Sequence, residues 1–321
     1  MNDYRTPRWL PGGHLQTIWP ALYSRRHGGA PPVFRRERWA TADADFVDVD
    51  WQGDDADATL LVLFHGLEGS SSSHYAQALA DQARQLGWRF AIPHFRGCSG
   101  EINRAPRAYH SGDWEEIGWM LSRCRALHRG PIVAIGISLG GNALLRFVEE
   151  GGESARDVVR AVAAVSAPLD LGAGARAIGQ GFGRQVYTRM FLRSMKPKAL
   201  VKLAQHPGLF DAARLRDART LRDFDDVFTA PLHGFRDAAD YYARASAGPQ
   251  LARIRIPALV LNARNDPFLP ASALPRAGTV GPCVTLWQPA HGGHVGFASG
   301  GWPGSLETMP AHVTGWLAAH R

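Results

Sequence analysis

The sequence predicts an α/β fold with a mostly parallel sheet, because short apolar runs of strand type alternate with longer segments of helical pattern. The apolar runs are rich in Val, Ile, Leu and Phe, which indicates strands that are buried on both faces. A length of 321 residues allows a substantial core, and 45% hydrophobic with 20% charged residues is typical of a globular protein. Disordered and fibrous classes are therefore excluded.

The apolar runs and the helical patterns can be assigned to individual elements. The predicted strands span residues 46–51, 60–64, 89–92, 132–137, 161–166, 258–262 and 284–287. The predicted helices span residues 74–86, 114–128, 139–149, 238–245 and 309–319. Helical segments between successive strands are typical of parallel sheets, whose strands need long crossover connections.

The alternation stops between residues 169 and 250, where the pattern is helical, basic and aromatic. This segment lies between two predicted strands, so both of its ends leave the carboxyl edge of the sheet, where ligands bind in such folds. We therefore predict a core over residues 1–168, a helical cap insertion over 169–250 and the second part of the core over 251–321. The cap would cover a ligand site at this edge of the sheet.

The chain carries a formal charge of +7, and the basic excess is concentrated in the predicted cap. Residues 176–222 contain eleven Lys and Arg side chains against only Asp211 and Asp217. Such a face is compatible with peripheral contact to an anionic membrane surface, but a cap helix buried on one side and solvated on the other is the simpler explanation. No nucleic-acid reader motif accompanies the charge, so no nucleic-acid partner is expected.

Other classes of protein are disfavoured by what the sequence lacks. It has no run of about 18 apolar residues and no apolar stretch at its start, which predicts a soluble, cytoplasmic protein. Cys98, Cys124 and Cys283 share no C-x-x-C spacing, so neither a disulfide framework nor a thiolate zinc site is predicted. The histidines form no H-x-x-x-H pair on a helix, and no metal or cofactor is expected.

A candidate nucleophile lies in the G-x-S-x-G run at residues 136–140. A buried-strand pattern precedes it and a helical pattern follows at once, which is the context that a nucleophile elbow requires. The two glycines allow the strand to turn sharply into the helix with Ser138 at the apex. The sequence therefore predicts Ser138 as a nucleophile in an α/β-hydrolase fold, with a mostly parallel central sheet flanked by helices.

A serine needs a base and an acid that orients the base, and in this fold they follow in the order Ser, Asp, His. Asp266 and His294 follow the last two predicted strands in that order. His291 is a rival base, but the glycine pair before His294 suits a tight turn that presents the His294 imidazole. Asp170 is a rival acid, and Asp266 is favoured because its loop neighbours the histidine strand.

The oxyanion of an acyl-transfer intermediate is usually held by backbone amides. The strand at 60–64 runs into His65-Gly-Leu-Glu-Gly, where Gly66 would let the backbone bend so that the Leu67 amide points at the site. Leu139, directly after the nucleophile, is predicted to supply the second amide. We interpret His65 as a brace for this loop and Cys98, which has no base of its own, as a packed thiol.

With these residues, the chain resembles the YheT-like group of α/β hydrolases, which includes the eukaryotic medium-chain ester and phospholipid hydrolases of family 4. The matching stretches are residues 12–20, 63–69, 94–100, 136–142, 225–226, 233–234, 240–242, 266–268 and 291–297. The resemblance implies a triad of Ser138, Asp266 and His294 and hydrolysis of short- to medium-chain acyl esters. Some relatives look able to transfer acyl groups to alcohols, so acyl transfer is an alternative.

The sequence thus predicts a serine carboxylic-ester hydrolase that uses an acyl-enzyme and a small-molecule acyl ester. A non-catalytic binding protein on the same fold is a further alternative, because fold does not determine function. The motif at residues 12–20 implies no mechanism, and we expect it to pack beneath the cap rather than line the acyl pocket. The sequence carries no signal for oligomeric state.

Overall fold

In residues 4–321, which the computed structural model describes, eight strands form one sheet in the order β1-β2-β4-β3-β5-β6-β7-β8. The strands are β1 (Arg35–Ala40), β2 (Phe46–Gln52), β3 (Leu60–Phe64), β4 (Arg89–Pro93), β5 (Ile132–Ile137), β6 (Ala161–Val165), β7 (Ala258–Leu261) and β8 (Val284–Trp287). β2 pairs antiparallel with β1 and β4, and the other pairings are parallel. The predicted α/β class with a mostly parallel sheet is confirmed.

Helices flank this sheet and fill the long connections. They are α1 (Gly13–Leu22), α2 (His74–Gln85), α3 (Trp114–Leu127), α4 (Leu139–Gly151), α5 (Leu171–Ile178), α6 (Gly181–Gly183), α7 (Arg189–Gln205), α8 (Ala212–Asp217), α9 (Leu221–Phe224), α10 (Ala230–Leu232), α11 (Ala238–Ala245) and α12 (Thr308–Ala318). From β6 to β7 the chain is built of α5 to α11 and short helical turns. Within residues 4–321, no helix combines the length and the apolar character needed to cross a bilayer.

The central strands are buried on both faces, which explains their continuous apolar runs. In β3, Leu60, Val62 and Phe64 pack with residues of α3 and α4, whereas Leu61 and Leu63 pack with residues of α2 and α12. All five side chains are inaccessible to solvent. Burial of each one contributes about 2 kcal/mol of hydrophobic stabilisation, so the sheet is a rigid support for the loops at its carboxyl edge.

Outside the helical segment between β6 and β7, the structure contains one strand and one α-helix that the sequence patterns did not predict. β1 is an edge strand in which only Trp39 is buried, so its sequence lacks an apolar run. α1 is ten residues long, begins at Gly13 directly after Gly12 and contains Pro20, and these features oppose a prediction of helix. The predicted strands and helices are present, with ends that differ by one or two residues.

A buried ion-pair network ties the loop after β4 to the rest of the core. Arg96 donates to Asp45 at 2.8 Å and to Glu116 of α3 at 2.6 Å. Asp45 also accepts from the Asn103 side chain at 2.7 Å and from the Arg104 amide at 2.6 Å. Burial alone would raise the pKa of Asp45, but the hydrogen bonds from Asn103, the Arg104 amide and Arg96 outweigh it and lower the pKa to about 2.

Substitution Asp45→Asn should destabilise the protein in a pH-dependent way. At pH 7 we expect a loss of about 3 kcal/mol in the free energy of unfolding, because Arg96 loses a buried partner. The pKa of Asp45 in the folded protein lies below its ordinary value of 3.8, so the wild-type advantage exists above about pH 4 and shrinks as the pH falls toward 2. Urea unfolding at pH 7, 5 and 3.5 measures this difference.

The matched control is Asp57→Asn, which removes an ion pair with Arg129 in which both side chains are exposed. Solvent screens an exposed pair, so this variant should stay close to wild type in its free energy of unfolding at each pH. A loss in Asp45→Asn that is the same at pH 7 and pH 3.5 would contradict the stabilising role of the Asp45 carboxylate.

Candidate active site

Ser138 lies at the sharp turn between β5 and α4. Its φ of 51° and ψ of −118° are strained for a residue with a side chain. A Cβ atom on Gly136 would lie 2.4 Å from the Gly140 carbonyl oxygen, and one on Gly140 would lie 2.4 Å from the Phe64 carbonyl oxygen. Glycine at both positions therefore lets α4 start directly on the sheet, and the Ser138 side chain lines the adjacent pocket.

The structure brings Ser138, His294 and Asp266 into one chain of hydrogen bonds. His294 Nε2 lies 2.9 Å from Ser138 Oγ, and His294 Nδ1 lies 2.9 Å from Asp266 Oδ2. Asp266 is buried, and the His294 side chain is only 10% exposed. A neutral imidazole with its proton on Nδ1 would donate to Asp266 and accept from the serine hydroxyl.

The rival residues lie elsewhere. His291 is exposed, and its Nδ1 is 3.5 Å from the Asn265 side chain. Asp170 caps the start of α5 by accepting from the Ala173 amide at 2.8 Å. The glycines before His294 have φ values of 143° and 61°, which form the tight turn that the sequence predicts for this position.

Phe268 is a residue of the site that the sequence analysis did not single out. Its ring stacks on the His294 imidazole, with centroids 3.9 Å apart and planes at 7°. Its amide donates to Asp266 Oδ1 at 2.7 Å, so the second carboxylate oxygen is also held. The only sequence signal is an aromatic residue two positions after Asp266, and the stacking depends on how two distant loops meet. Phe268 therefore restricts both the ring and the carboxylate.

The loop after β3 lies against Ser138. A Cβ on Gly66 would be 3.3 Å from Ser138 Cβ, so the absence of a side chain at Gly66 lets the loop lie close to Ser138. Gly66 was expected from the sequence to bend the backbone, but it does not have a positive φ. The residue of this loop with a positive φ is Glu68, at 57°. Leu67 and Leu139 both line the pocket that contains Ser138. In residues 4–321, neither of their amides donates to a protein acceptor.

His65 braces this loop. Its Nε2 accepts from the Phe95 amide at 3.0 Å, which leaves Nδ1 to donate to the Gly66 carbonyl at 2.8 Å. Burial lowers the pKa of His65 to about 3, so the ring stays neutral and keeps this tautomer. Cys98 is a buried thiol whose pKa burial raises to about 12, so it is not a nucleophile at neutral pH.

The pocket around Ser138 and His294 is mostly apolar. Much of its wall comes from helical segments between β6 and β7, including Ile178, Phe191, Met195, Ala199, Leu221, Phe224 and Phe228. Polar side chains also line it, and several are paired within the protein: Lys198 pairs with Glu68 at 2.8 Å, and Asp225 accepts from the hydroxyls of Thr229 and Tyr242. Burial raises the pKa of Asp225 to about 6 despite these hydrogen bonds.

Metal ligation finds no geometric support in the part of the chain that the structure describes. Residues 4–321 hold no group of three or more His, Cys, Asp or Glu side chains that is arranged around a common point. The His294 imidazole uses both ring nitrogens for Asp266 and Ser138. The arrangement is thus suited to proton transfer at a serine hydroxyl next to an apolar pocket.

Comparison with known proteins agrees with this architecture. The sequence model of the alpha/beta hydrolase fold matches residues 59–300. The protein named "Putative esterase YheT" of Escherichia coli (strain K12) is 40% identical over 313 residues, which cover 96% of this chain and 90% of that protein. "Phospholipase ABHD3" of Mus musculus is 30% identical over 294 residues, covering 87% of this chain and 70% of that protein.

A solved structure supports the fold independently of close sequence similarity. Mouse alpha/beta hydrolase domain-containing protein 10 superposes with a TM-score of 0.55 at 13% identity, over 89% of this chain and 99% of that one. The structural likeness concerns the fold alone, and the sequence matches identify the group. The chain belongs to the α/β-hydrolase family, and within it to the YheT-like group of esterase- and lipase-type hydrolases.

Proposed function

We propose that the protein is a serine carboxylic-ester hydrolase for short- to medium-chain acyl esters, with Ser138 as nucleophile, His294 as general base and Asp266 as the acid that orients it. The observation that carries the proposal is the pair of 2.9 Å contacts from the His294 ring to Ser138 and Asp266. Such a linked nucleophile, base and acid activates a hydroxyl that is otherwise a poor nucleophile at neutral pH.

In the acylation step, Ser138 Oγ attacks the ester carbonyl carbon while His294 Nε2 takes the hydroxyl proton. The amides of Leu67 and Leu139 stabilise the oxyanion, and each such donor contributes about 10²–10³-fold in rate. The tetrahedral intermediate collapses, the C–O bond to the alcohol breaks, and His294 returns the proton to the leaving oxygen. Water, deprotonated by His294, then attacks the acyl carbon, the bond from that carbon to Ser138 Oγ breaks, and His294 returns the proton to Oγ as the acid leaves.

The pocket and the relatives support the proposed substrate class. An apolar wall next to the nucleophile favours an acyl chain, since burial of each methylene contributes about 0.8 kcal/mol. One relative is named as an esterase and another as a phospholipase, so acyl esters are the common element. We extend the proposal to the architecture: residues 169–250 act as a cap that closes the acyl pocket over a core formed by residues 1–168 and 251–321.

The basic side chains of the proposed cap suggest a role in approach to substrate. α7 carries Arg189, Arg193, Lys196, Lys198 and Lys202. Lys198 and Lys202 are engaged with the core, through Glu68 and through the carbonyls of Asn103 and Ala105. Lys196 donates to the Arg216 carbonyl at 2.7 Å, whereas Arg189 and Arg193 are exposed. These two cations are available to an anionic surface such as a membrane, with an attraction of about 1 kcal/mol for each cation near the surface.

Removal of the nucleophile should abolish ester hydrolysis without unfolding the protein. With p-nitrophenyl esters of two to twelve carbons, Ser138→Ala should lower kcat at least about 10³-fold on every ester that wild type cleaves. Ser154→Ala, at an exposed serine, is the control and should match wild type.

In the same assay, Asp266→Asn should lower kcat about 10⁴-fold, whereas Asp170→Asn should keep kcat within twofold of wild type. Equal activity of Ser138→Ala and wild type would exclude the mechanism, and inactivity of all forms would favour a binding protein.

Filling the acyl pocket should shift the chain-length optimum to shorter esters. Ala199 of α7 is buried and lines the pocket, so Ala199→Leu places a larger side chain where the acyl chain would lie. We expect kcat/KM for the longest esters to fall about tenfold or more while the acetate ester is cleaved within twofold of wild type. Ala204→Leu adds the same bulk at an exposed position of α7 and should change neither. An unaltered chain-length profile in Ala199→Leu would place the acyl chain elsewhere.

A further inference from the structure

α1 packs directly against the two loops that carry Asp266 and His294. A Cβ on Gly13 would lie 2.0 Å from the Asn265 carbonyl oxygen. A Cβ on Gly293 would lie 2.7 Å from the Gln16 carbonyl carbon, and one on Gly296 would lie 1.8 Å from the Gln16 carbonyl oxygen. Glycine on both sides of this contact therefore brings backbone against backbone. The N-terminal motif, which had no mechanism from sequence alone, forms this contact.

Gln16 links the two loops to each other. Its side chain is 1% exposed, and its Oε1 accepts from Asn265 Nδ2 at 2.8 Å and from the Gly292 amide at 2.9 Å. Its Nε2 donates to the Leu10 carbonyl at 2.9 Å, which fixes the orientation of the amide. Asn265 Oδ1 accepts in turn from the Gly293 amide at 3.1 Å. One buried amide thus connects the residue before Asp266 with the turn before His294.

Thr17 holds the backbone of His294 itself. The Thr17 hydroxyl donates to the Gly13 carbonyl at 2.7 Å, so its lone pair is free to accept from the His294 amide at 2.9 Å. On the other side, the Val295 amide donates to Ser166 Oγ at 3.1 Å. Gly293 and Val295 have φ values of 61° and 59°, so the turn is strained at Val295 and needs outside support.

We propose that Gln16 and Thr17 are positioning residues, which hold the turn so that the His294 imidazole lies between Ser138 and Asp266. The inference rests on the proposed function and adds to it a role for α1. Neither side chain contacts Ser138 Oγ, so both act through the loops. A shift of the base by about 1 Å can cost about 10²-fold in rate, because proton transfer depends steeply on geometry.

Thr17→Val tests this role because it keeps the shape of the side chain and removes the acceptor of the His294 amide. With p-nitrophenyl butanoate we expect kcat to fall about 10–100-fold and KM to stay within twofold, since the pocket wall is unchanged. Thr17→Ser keeps the hydroxyl and should restore kcat to within about threefold of wild type. Gln16→Met keeps a side chain of similar length but removes the oxygen that accepts from Asn265 and the Gly292 amide. This variant should also lower kcat and leave KM within twofold of wild type.

The matched control is Thr314→Val. Thr314 is also a buried helical threonine whose hydroxyl donates to the carbonyl four residues earlier, at 2.8 Å, but it lies in α12 and bonds no residue of the site. It should lower the melting temperature about as much as Thr17→Val does and leave kcat unchanged. Equal kcat in Thr17→Val, Gln16→Met and Thr314→Val would overturn the inference, as would a loss in Thr17→Val that Thr17→Ser does not restore.

The same assay separates failure of this inference from failure of the proposed function. If Ser138→Ala is inactive and Thr17→Val retains wild-type kcat, the triad stands and the positioning role falls. If Ser138→Ala retains activity, the proposed function itself fails. Should Thr17→Val fail to fold, Gln16→Met compared with Thr314→Val decides the question, because the two Gln16 hydrogen bonds support the same turn.

Discussion

The site depends on one backbone constraint, which is that β5 must turn into α4 within a single strained residue. The left-handed φ of Ser138 is tolerated because Gly136 and Gly140 carry no side chains where the helix, the strand and the loop after β3 meet. Parallel strands bring their carboxyl ends to the same edge, so the loops after β3, β7 and β8 converge on this serine. The hydrogen bonds to His294 and Asp266 follow from that convergence.

The position of the His294 ring is fixed by several parts of the chain. Phe268 stacks on the imidazole, Asp266 accepts from its Nδ1, and Thr17 and Ser166 hold the backbone on either side of His294. These contacts are fixed by the rigid sheet and by buried hydrogen bonds. In the proposed mechanism they lower the entropy lost when the serine proton is transferred, because the ring is already oriented. Much of the apolar pocket wall, by contrast, comes from the helical segments between β6 and β7, which Lys198 and Lys202 tie to the core.

The sequence predicted the central strands because burial on both faces leaves an unbroken apolar run, as in β5 and β6. It did not predict β1, whose exposed edge carries charged residues, or α1, whose glycines and proline oppose helix formation. Ser138, Asp266 and His294 could be proposed from motif and chain order, and they lie in contact. Phe268, Gln16 and Thr17 could not be assigned roles, because their contacts join segments up to 277 residues apart that only the folded chain brings together.

The most direct test of the account is to identify the residue that forms the covalent adduct. The protein is incubated with a fluorophosphonate, which reacts with an activated serine hydroxyl, and the modified peptide is sequenced by mass spectrometry. We expect one adduct per chain, on Ser138, formed rapidly by wild type and not by His294→Ala. A rapid adduct on another serine, or labelling of Ser138 at the same rate in His294→Ala, would contradict nucleophilic catalysis by Ser138 with His294 as its base.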